Sequence, residues 1–231
     1  MFLENSKNNY LKKIQAYGDY DKLTLVPVSN WIEERLKESF LQNHKIRVIH
    51  NGIDLDKFHP ASEDVIKRLR GKYGLEEKKV ILGVASTWTP MKGLLDFIEL
   101  RKVLPGSSLI VLLGLTEKQI LDLPRGIIGL KRTEDFDELL GFYSLSSVFC
   151  NPTYEDTFPT TNLEALACGT PVITYNTGGS PESVDGDTGL VVEKGDISGL
   201  NNAIQLVLTN NKEHFSKACR NRAELKWNRE D

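Results

Sequence analysis

The sequence predicts an α/β fold, a Rossmann-like doubly wound parallel sheet preceded by the tail of another domain. Three observations carry this expectation. From Val80 onward, short and nearly continuous apolar runs alternate with amphipathic stretches, the pattern of strands buried on both faces and joined by helices. The first 60 residues stand outside that rhythm. Hydrophobic residues make up 40% of the 231 and charged residues 26%, as in a globular chain long enough to bury a core.

In chain order, Leu23–Val28 reads as a strand, Asn30–Phe40 as a helix and Ile46–His50 as a second strand. So few strands do not bury a sheet of their own, and they read as the last β-α-β part of a preceding domain. Asn51-Gly52 is a turn signal, because both residues tolerate positive φ. Phe58-His59-Pro60 then interrupts helix formation and leads into a helix over Glu63–Tyr73. The segment reads as a crossover between domains; the alternative is that residues 1–60 extend a single domain. The expected strands of the main sheet are Val80–Ala85, Ser108–Leu113, Gly126–Leu130, Val148–Asn151, Pro171–Thr174 and Gly189–Val192. Helical patterns fall at Lys92–Leu104, Thr116–Leu121, Asp135–Ser146, Thr160–Cys168 and Asp196–Leu208, with a short turn near Ser180–Val184. Such alternation implies right-handed crossovers with helices on both faces. Lys212–Trp227 is again helical, and the sequence stops at Asn228-Arg229-Glu230-Asp231 without a helix-stop signal. The expected divisions are 1–52, the remnant of an amino-terminal domain with its link; 53–210, the Rossmann-like domain; and 211–231, a carboxy-terminal helix cut short.

Composition excludes several classes. A net charge of −3 gives no reason to expect nucleic acid, whose binding surface shows as a clustered basic patch. Cys150, Cys168 and Cys219 are far apart and odd in number, without metal-ligand spacing or a disulfide framework, so a reducing cytoplasm is the simpler expectation. The start Met1-Phe2-Leu3-Glu4-Asn5 turns polar too soon for a signal peptide, and no apolar run has the length of a membrane span. His44, His50, His59 and His214 are scattered, so no metal site is expected. Gly83-Val84-Ala85-Ser86-Thr87-Trp88 is not the Gly-x-Gly-x-x-Gly of a dinucleotide site, which ranks a dehydrogenase low.

The strongest local signal is Glu155-Asp156-Thr157-Phe158-Pro159-Thr160-Thr161-Asn162-Leu163-Glu164-Ala165-Leu166-Ala167-Cys168-Gly169-Thr170-Pro171. A loop follows the strand Val148–Asn151. Pro159 suits the first turn of a helix and Gly169 suits its end. A helix N-terminus therefore sits at the carboxyl end of a parallel strand, where open α/β sheets bind ligands. Its N–H groups suit an anion such as a diphosphate, and Thr160, Thr161 and Asn162 add side-chain donors. Asp156 and Glu164 are acceptor-only carboxylates that can grip sugar hydroxyls on either side of that anion. The blander alternative is a turn cap at Asp156 and a solvated helix residue at Glu164.

This string resembles the signature of the retaining glycosyltransferases of family four, the glycosyl transferases group one, which have the GT-B fold. Val48-Ile49-His50-Asn51-Gly52-Ile53-Asp54 with Phe58 and Pro60 resembles that family's interdomain link. Met91-Lys92-Gly93 resembles its Lys-Gly motif. Thr177-Gly178-Gly179-Ser180-Pro181-Glu182, followed by Asp187-Thr188-Gly189-Leu190-Val191, resembles its Gly-Gly loop. The similarity runs over roughly residues 25–210 in order, and Glu155–Asn162 resembles a subgroup that builds bacterial surface polysaccharides.

The resemblance implies a carboxy-terminal donor-binding half. Glu164 would take the ribose hydroxyls and Asp156 the donor sugar. The backbone across Phe158–Asn162, with Pro159 included, would hold sugar and distal phosphate, and Lys92 would neutralise the diphosphate leaving group. Gly129, Leu130 and Lys131 would face the base. The Gly178–Gly179 turn would let the chain pass close to the site; a plain tight turn is the equal alternative. The family usually supplies an Arg a few residues before the Lys, and Ala85–Met91 contains none. Ser86 and Thr87 can donate hydrogen bonds there but no charge, and Lys131 or Arg132 is the candidate for the missing cation. The implied reaction is transfer from a nucleoside-diphosphate sugar with retention, without metal or cofactor, to a sugar or lipid-linked sugar held by the other domain. Peripheral association of the full-length protein with the inner membrane face is compatible with such an acceptor. The alternatives are a non-catalytic nucleotide-sugar module, to which the absent Arg points, and an epimerase or phosphorylase of the same architecture.

Overall fold

The structure is a computed structural model that describes residues 5–18, 20, 22–210 and 212–229, with the backbone alone at residues 212–214. The start Met1–Glu4, the end Glu230–Asp231 and the His214 side chain lie outside the described residues. The chain divides into two compact units, Met1–His50 and Asn51–Asp231.

In the first unit, helix α1 (Ser6–Tyr17) precedes strand β1 (Thr24–Leu25), helix α2 (Asn30–Lys37) and strand β2 (Lys45–Ile46). β1 and β2 pair in parallel. Both strands are shorter than the sequence predicts. Two further bonds, Arg47 N–H to the Leu25 carbonyl and Ile49 N–H to the Pro27 carbonyl, continue the register, but Pro27 has no N–H to return. Ser29 caps α2 by accepting from Ile32 N–H. Helix α1 was not foreseen; it buries no residue, so it carries no amphipathic stripe that could have marked it.

The second unit opens with helix α3 (Glu63–Tyr73), capped by Ser62 and closed by left-handed Gly74. Then come β3 (Lys79–Val84), α4 (Leu94–Val103), β4 (Ser108–Leu113), α5 (Glu117–Leu121), β5 (Ile127–Leu130) and α6 (Phe136–Leu145). β6 (Val148–Asn151), α7 (Thr160–Ala167), β7 (Val172–Tyr175), β8 (Gly189–Val192), α8 (Ile197–Thr209) and α9 (Lys212–Lys226) complete it. The six strands β3 to β8 form one parallel sheet in the order β5-β4-β3-β6-β7-β8. The expected doubly wound parallel sheet is therefore present, and each strand lies within a residue or two of its predicted bounds.

The apolar runs form the core. Ile81, Leu82, Ile110, Leu112, Val148, Phe149, Val172 and Ile173 are fully buried, which is why their sequences read as continuous rather than alternating. Helix α9 belongs to this unit. Arg220 donates to the carbonyls of Ala167 and Phe58. Ile53 N–H donates to the Trp227 carbonyl at 2.6 Å, and Arg229 N–H returns to Ile53 at 3.1 Å.

Candidate functional site

The strand order reverses between neighbouring β3 and β6, since the chain leaves β3 toward β4 on one side and continues from β6 toward β7 on the other. Crevices at such reversals, beyond the carboxyl ends of the strands, are where open α/β sheets take ligands. A cavity of about 560 Å³ lies there, lined from the ends of β3 (Val84, Ala85, Ser86), β4 (Leu113, Gly114) and β6 (Cys150, Asn151). That volume is in the range of small-molecule sites.

One side is the loop after β3. The Trp88 indole N–H donates to the Leu113 carbonyl at 2.8 Å, and its ring meets Phe97 edge-on, so this loop is anchored in the core. A 3₁₀ turn, Pro90–Lys92, follows and ends at Gly93 with φ +75°. A side chain at position 93 would collide with the Pro152 carbonyl. Glycine thus meets a left-handed turn and a close approach together, and Lys92 is brought beside the β6–α7 loop.

That second loop is tied on several sides. Tyr154 N–H and the Thr153 hydroxyl both donate to the Met91 carbonyl, at 2.8 and 3.2 Å. The Thr177 hydroxyl donates to the Thr153 carbonyl at 2.6 Å, and Gly179 N–H donates to the Asp156 carbonyl at 3.0 Å. Lys92 Nζ then meets Asp156 Oδ2 at 2.6 Å. Lys92 and Asp156 therefore compensate each other's charge at the cavity edge.

Helix α7 starts without a capping side chain, because Pro159 occupies the N-cap, and no acidic residue sits in its first turn. Thr160 and Thr161 line the cavity beside that positive helix end. One turn on, Glu164 accepts a hydrogen bond from the Tyr143 hydroxyl at Oε2, 2.6 Å. Burial raises the Glu164 carboxyl above its ordinary range, and the Tyr143 bond opposes the rise. Tyr143 is fully buried, which together with Glu164 holds its hydroxyl in the neutral, donating form. Lys131, Arg132 and Thr133 after β5, with Leu139 of α6, complete the lining.

The family described as glycosyl transferases group 1 matches residues 65–226. The chain belongs to this family. It is 32% identical over 213 residues to the D-inositol 3-phosphate glycosyltransferase of Corynebacterium jeikeium, covering 84% of this chain and 51% of that protein. It is 31% identical over 175 residues to the alpha-galactosylglucosyldiacylglycerol synthase of Streptococcus pneumoniae, covering 70% and 46%. The chain thus spans about half the length of the curated relatives it matches. Among solved structures, sucrose-phosphate synthase of Thermosynechococcus elongatus superposes with a TM-score of 0.81 at 23% identity, covering 100% of this chain and 61% of that one. Anabaena HepE, solved in complex with UDP-glucose, superposes at 0.79 with 21% identity, covering 96% and 64%. Both share the fold.

Within this group 1 glycosyltransferase chain, ten of the residues singled out from sequence line one cavity: Ser86, Lys92, Lys131, Arg132, Asp156, Phe158, Pro159, Thr160, Thr161 and Glu164. Phe158 is 2% exposed and its ring meets Trp227 edge-on, so the ring is part of the cavity wall. Six others lie off the lining. Asn162 is fully buried and its amide is spent on Asn151 and Ser183, at 2.8 and 2.9 Å. It locks α7 to β6 and to the short turn Ser180–Ser183. Gly129 and Leu130 sit within β5, paired to β4, and Thr87 does not reach the cavity. Gly178, at φ +55°, and Gly179 stand behind the Asp156 backbone; a side chain at 178 would strike the Asp156 carbonyl. The close-passage reading of this turn fits that contact, with Asp156 as the segment approached. Sequence reasoning missed Trp88, Leu113, Cys150 and Tyr143. The strand order that brings β3, β4 and β6 together was the signal that could have found the first three.

Among the described residues, no three His, Cys, Asp or Glu side chains are grouped to hold a metal, and no helix is long and apolar enough to cross a membrane.

Proposed function

We propose that this chain is the donor-binding part of a retaining glycosyltransferase that uses a nucleoside-diphosphate sugar. The observation that carries the reading is the convergence of Lys92, the uncapped start of α7, Asp156 and Glu164 on one cavity at the strand-order reversal. A pyrophosphoryl group entering there takes the Lys92 ammonium from Asp156 and lies on the first-turn amides of α7. Released from Lys92, Asp156 accepts from hydroxyls of the donor sugar. Glu164, with Oε2 already engaged by Tyr143, presents Oε1 to the ribose diol.

As the glycosidic bond to the leaving group lengthens, negative charge grows on the nucleoside diphosphate. Lys92 and the α7 amides stabilise that charge more strongly than they stabilise the intact donor. Arg132, exposed and without an ion pair among the described residues, supplies the second cation that the loop after β3 lacks. The acceptor and the transfer step belong to a longer protein. By itself the chain binds donor and turns over little, so turnover matching its full-length relatives would contradict the reading. A bacterial glycoconjugate or polysaccharide is the proposed product class, and the Anabaena protein's complexes with UDP and UDP-glucose make uridine nucleotides the first to try.

A thermal-shift panel of uridine, guanosine and adenosine diphosphates, their sugar esters and NAD tests this directly, since a ligand that binds only the folded state stabilises it by mass action. A shift with one nucleoside diphosphate, unchanged by EDTA, is expected. A shift with NAD alone, or with none, would refute it.

A further inference from the structure

Lys92 and Asp156 reach the cavity from different loops, so their separation needs a device that fixes it. The backbone part is the Met91 carbonyl, which accepts from Tyr154 and Thr153. A side-chain part lies behind it. The Tyr154 hydroxyl donates to Asp96 Oδ1 at 3.2 Å. Tyr154 stands two residues before Asp156, and Asp96 stands four residues after Lys92, in the first turn of α4.

Asp96 is costly where it is. It is 8% exposed, and its second oxygen, Oδ2, has no hydrogen-bond partner among the described residues. A buried carboxyl left half satisfied destabilises a fold by about 1–3 kcal/mol, and an apolar residue would fill the same space without that cost. The groups facing it are Tyr154, the buried Tyr175 hydroxyl and the Cys150 thiol at the cavity floor. The Tyr175 hydroxyl is close enough to ease the charge on the carboxyl as a weak hydrogen-bond partner, but neither it nor Oδ2 makes a bond of normal geometry. The Tyr154 ring is fixed from two further sides, edge-on to Tyr175 at 5.9 Å and beneath Lys194 Nζ at 5.0 Å.

We propose that Asp96 and Tyr154 are a positioning pair that sets the distance between Lys92 and Asp156, and through it the preference for a diphosphate over a monophosphate. The inference rests on the donor-site reading above and adds two residues that touch no ligand. Glu164 and Tyr143 are carried by α7 and α6 and share no bond with this pair, so nucleoside recognition is independent of it.

The test is calorimetry on the whole chain with uridine and guanosine mono- and diphosphates, comparing wild type with Tyr154→Phe, Asp96→Asn and Asp96→Ala. Loss of one hydrogen bond is expected to lower the diphosphate-to-monophosphate affinity ratio roughly fivefold in Tyr154→Phe and in Asp96→Ala. Monophosphate affinity should stay within about twofold of wild type, because Glu164 is untouched. Asp96→Asn keeps the Oδ1 acceptor and should restore most of the ratio. An unchanged ratio in Tyr154→Phe would overturn the proposal, and so would an equal fall in both affinities, which marks a packing role. If Asp96→Ala does not fold, Tyr154→Phe alone decides. Wild type that binds neither nucleotide would remove the site reading itself, and this inference with it.

Discussion

The β6–α7 loop and the Lys131–Arg132 start of the β5–α6 loop line the same cavity, but the first is tied down and the second is not, although Glu134 and Asp135 just beyond it are bonded to Lys72 and Glu138. In the first, Thr153, Tyr154 and Asp156 all bond to neighbouring segments, and Asp156 is also ion-paired. In the second, Lys131 pairs with Glu117 alone among the described residues, both more than half exposed, and Arg132 stands in solvent. A tied wall holds its charges at working distance before a ligand arrives, whereas exposed side chains must be ordered during binding. The pair teaches that this cavity is preorganised at the proposed pyrophosphoryl and sugar positions and adjustable at its outer cationic wall.

The largest effect should come from the tied side. Lys92→Ala removes the only cation paired with Asp156 among the described residues and leaves that carboxylate facing the incoming anion. Nucleoside-diphosphate affinity is expected to fall by about 3 kcal/mol, roughly a hundredfold, by calorimetry. A change below threefold would break the comparison. Gly178→Ala comes next. It forces a side chain into a φ of +55° against the Asp156 carbonyl, and about 2 kcal/mol of stability should be lost in a denaturant melt. An unchanged midpoint would mean that the wall yields.

Glu164 gives a pH signature. Its carboxyl is raised in the folded chain, so the folded state holds that proton more tightly than the unfolded state. The stability it contributes is full below the ordinary carboxylate range and is lost as pH rises through the raised value. Glu164→Gln should remove that loss. Ligand binding runs the other way. In the proposed donor site the ionised carboxylate would accept from the ribose diol, so wild-type affinity should strengthen over the same window, while Glu164→Gln loses the slope and about 1.5 kcal/mol. Parallel pH profiles for the two proteins would remove Glu164 from the site. The smallest effect belongs to the untied wall. Arg132→Ala should weaken diphosphate binding by about 0.5–1 kcal/mol at low salt, and the difference should shrink as salt is added. No change at all would leave the missing cation unsupplied by Arg132.

Much of the second unit was legible because its strands are buried on both faces, so Val80–Leu82 and Ser108–Leu113 announce themselves as apolar runs. The first unit was less so. Leu23–Val28 carries strand-forming residues, yet Pro27 breaks the ladder and leaves Thr24–Leu25. At the site, Asp156, Thr160 and Glu164 share one stretch of chain and were readable together. Asn162 was misread as a ligand donor, because sequence spacing gives the helix and not which face of it is buried. Tyr143 and Asp96 were invisible for a related reason. Each acts on a residue far along the chain, across packing that only the folded sheet creates.

A pyrophosphoryl group is expected to displace Asp156 from Lys92 at the start of α7. A crystal structure of the chain with a bound nucleoside diphosphate tests it most directly. Lys92 Nζ is expected within hydrogen-bond distance of the terminal phosphate, the ribose hydroxyls on Glu164 and the Lys92–Asp156 contact, 2.6 Å here, opened. A nucleotide bound elsewhere, or bound with that contact intact, would contradict it.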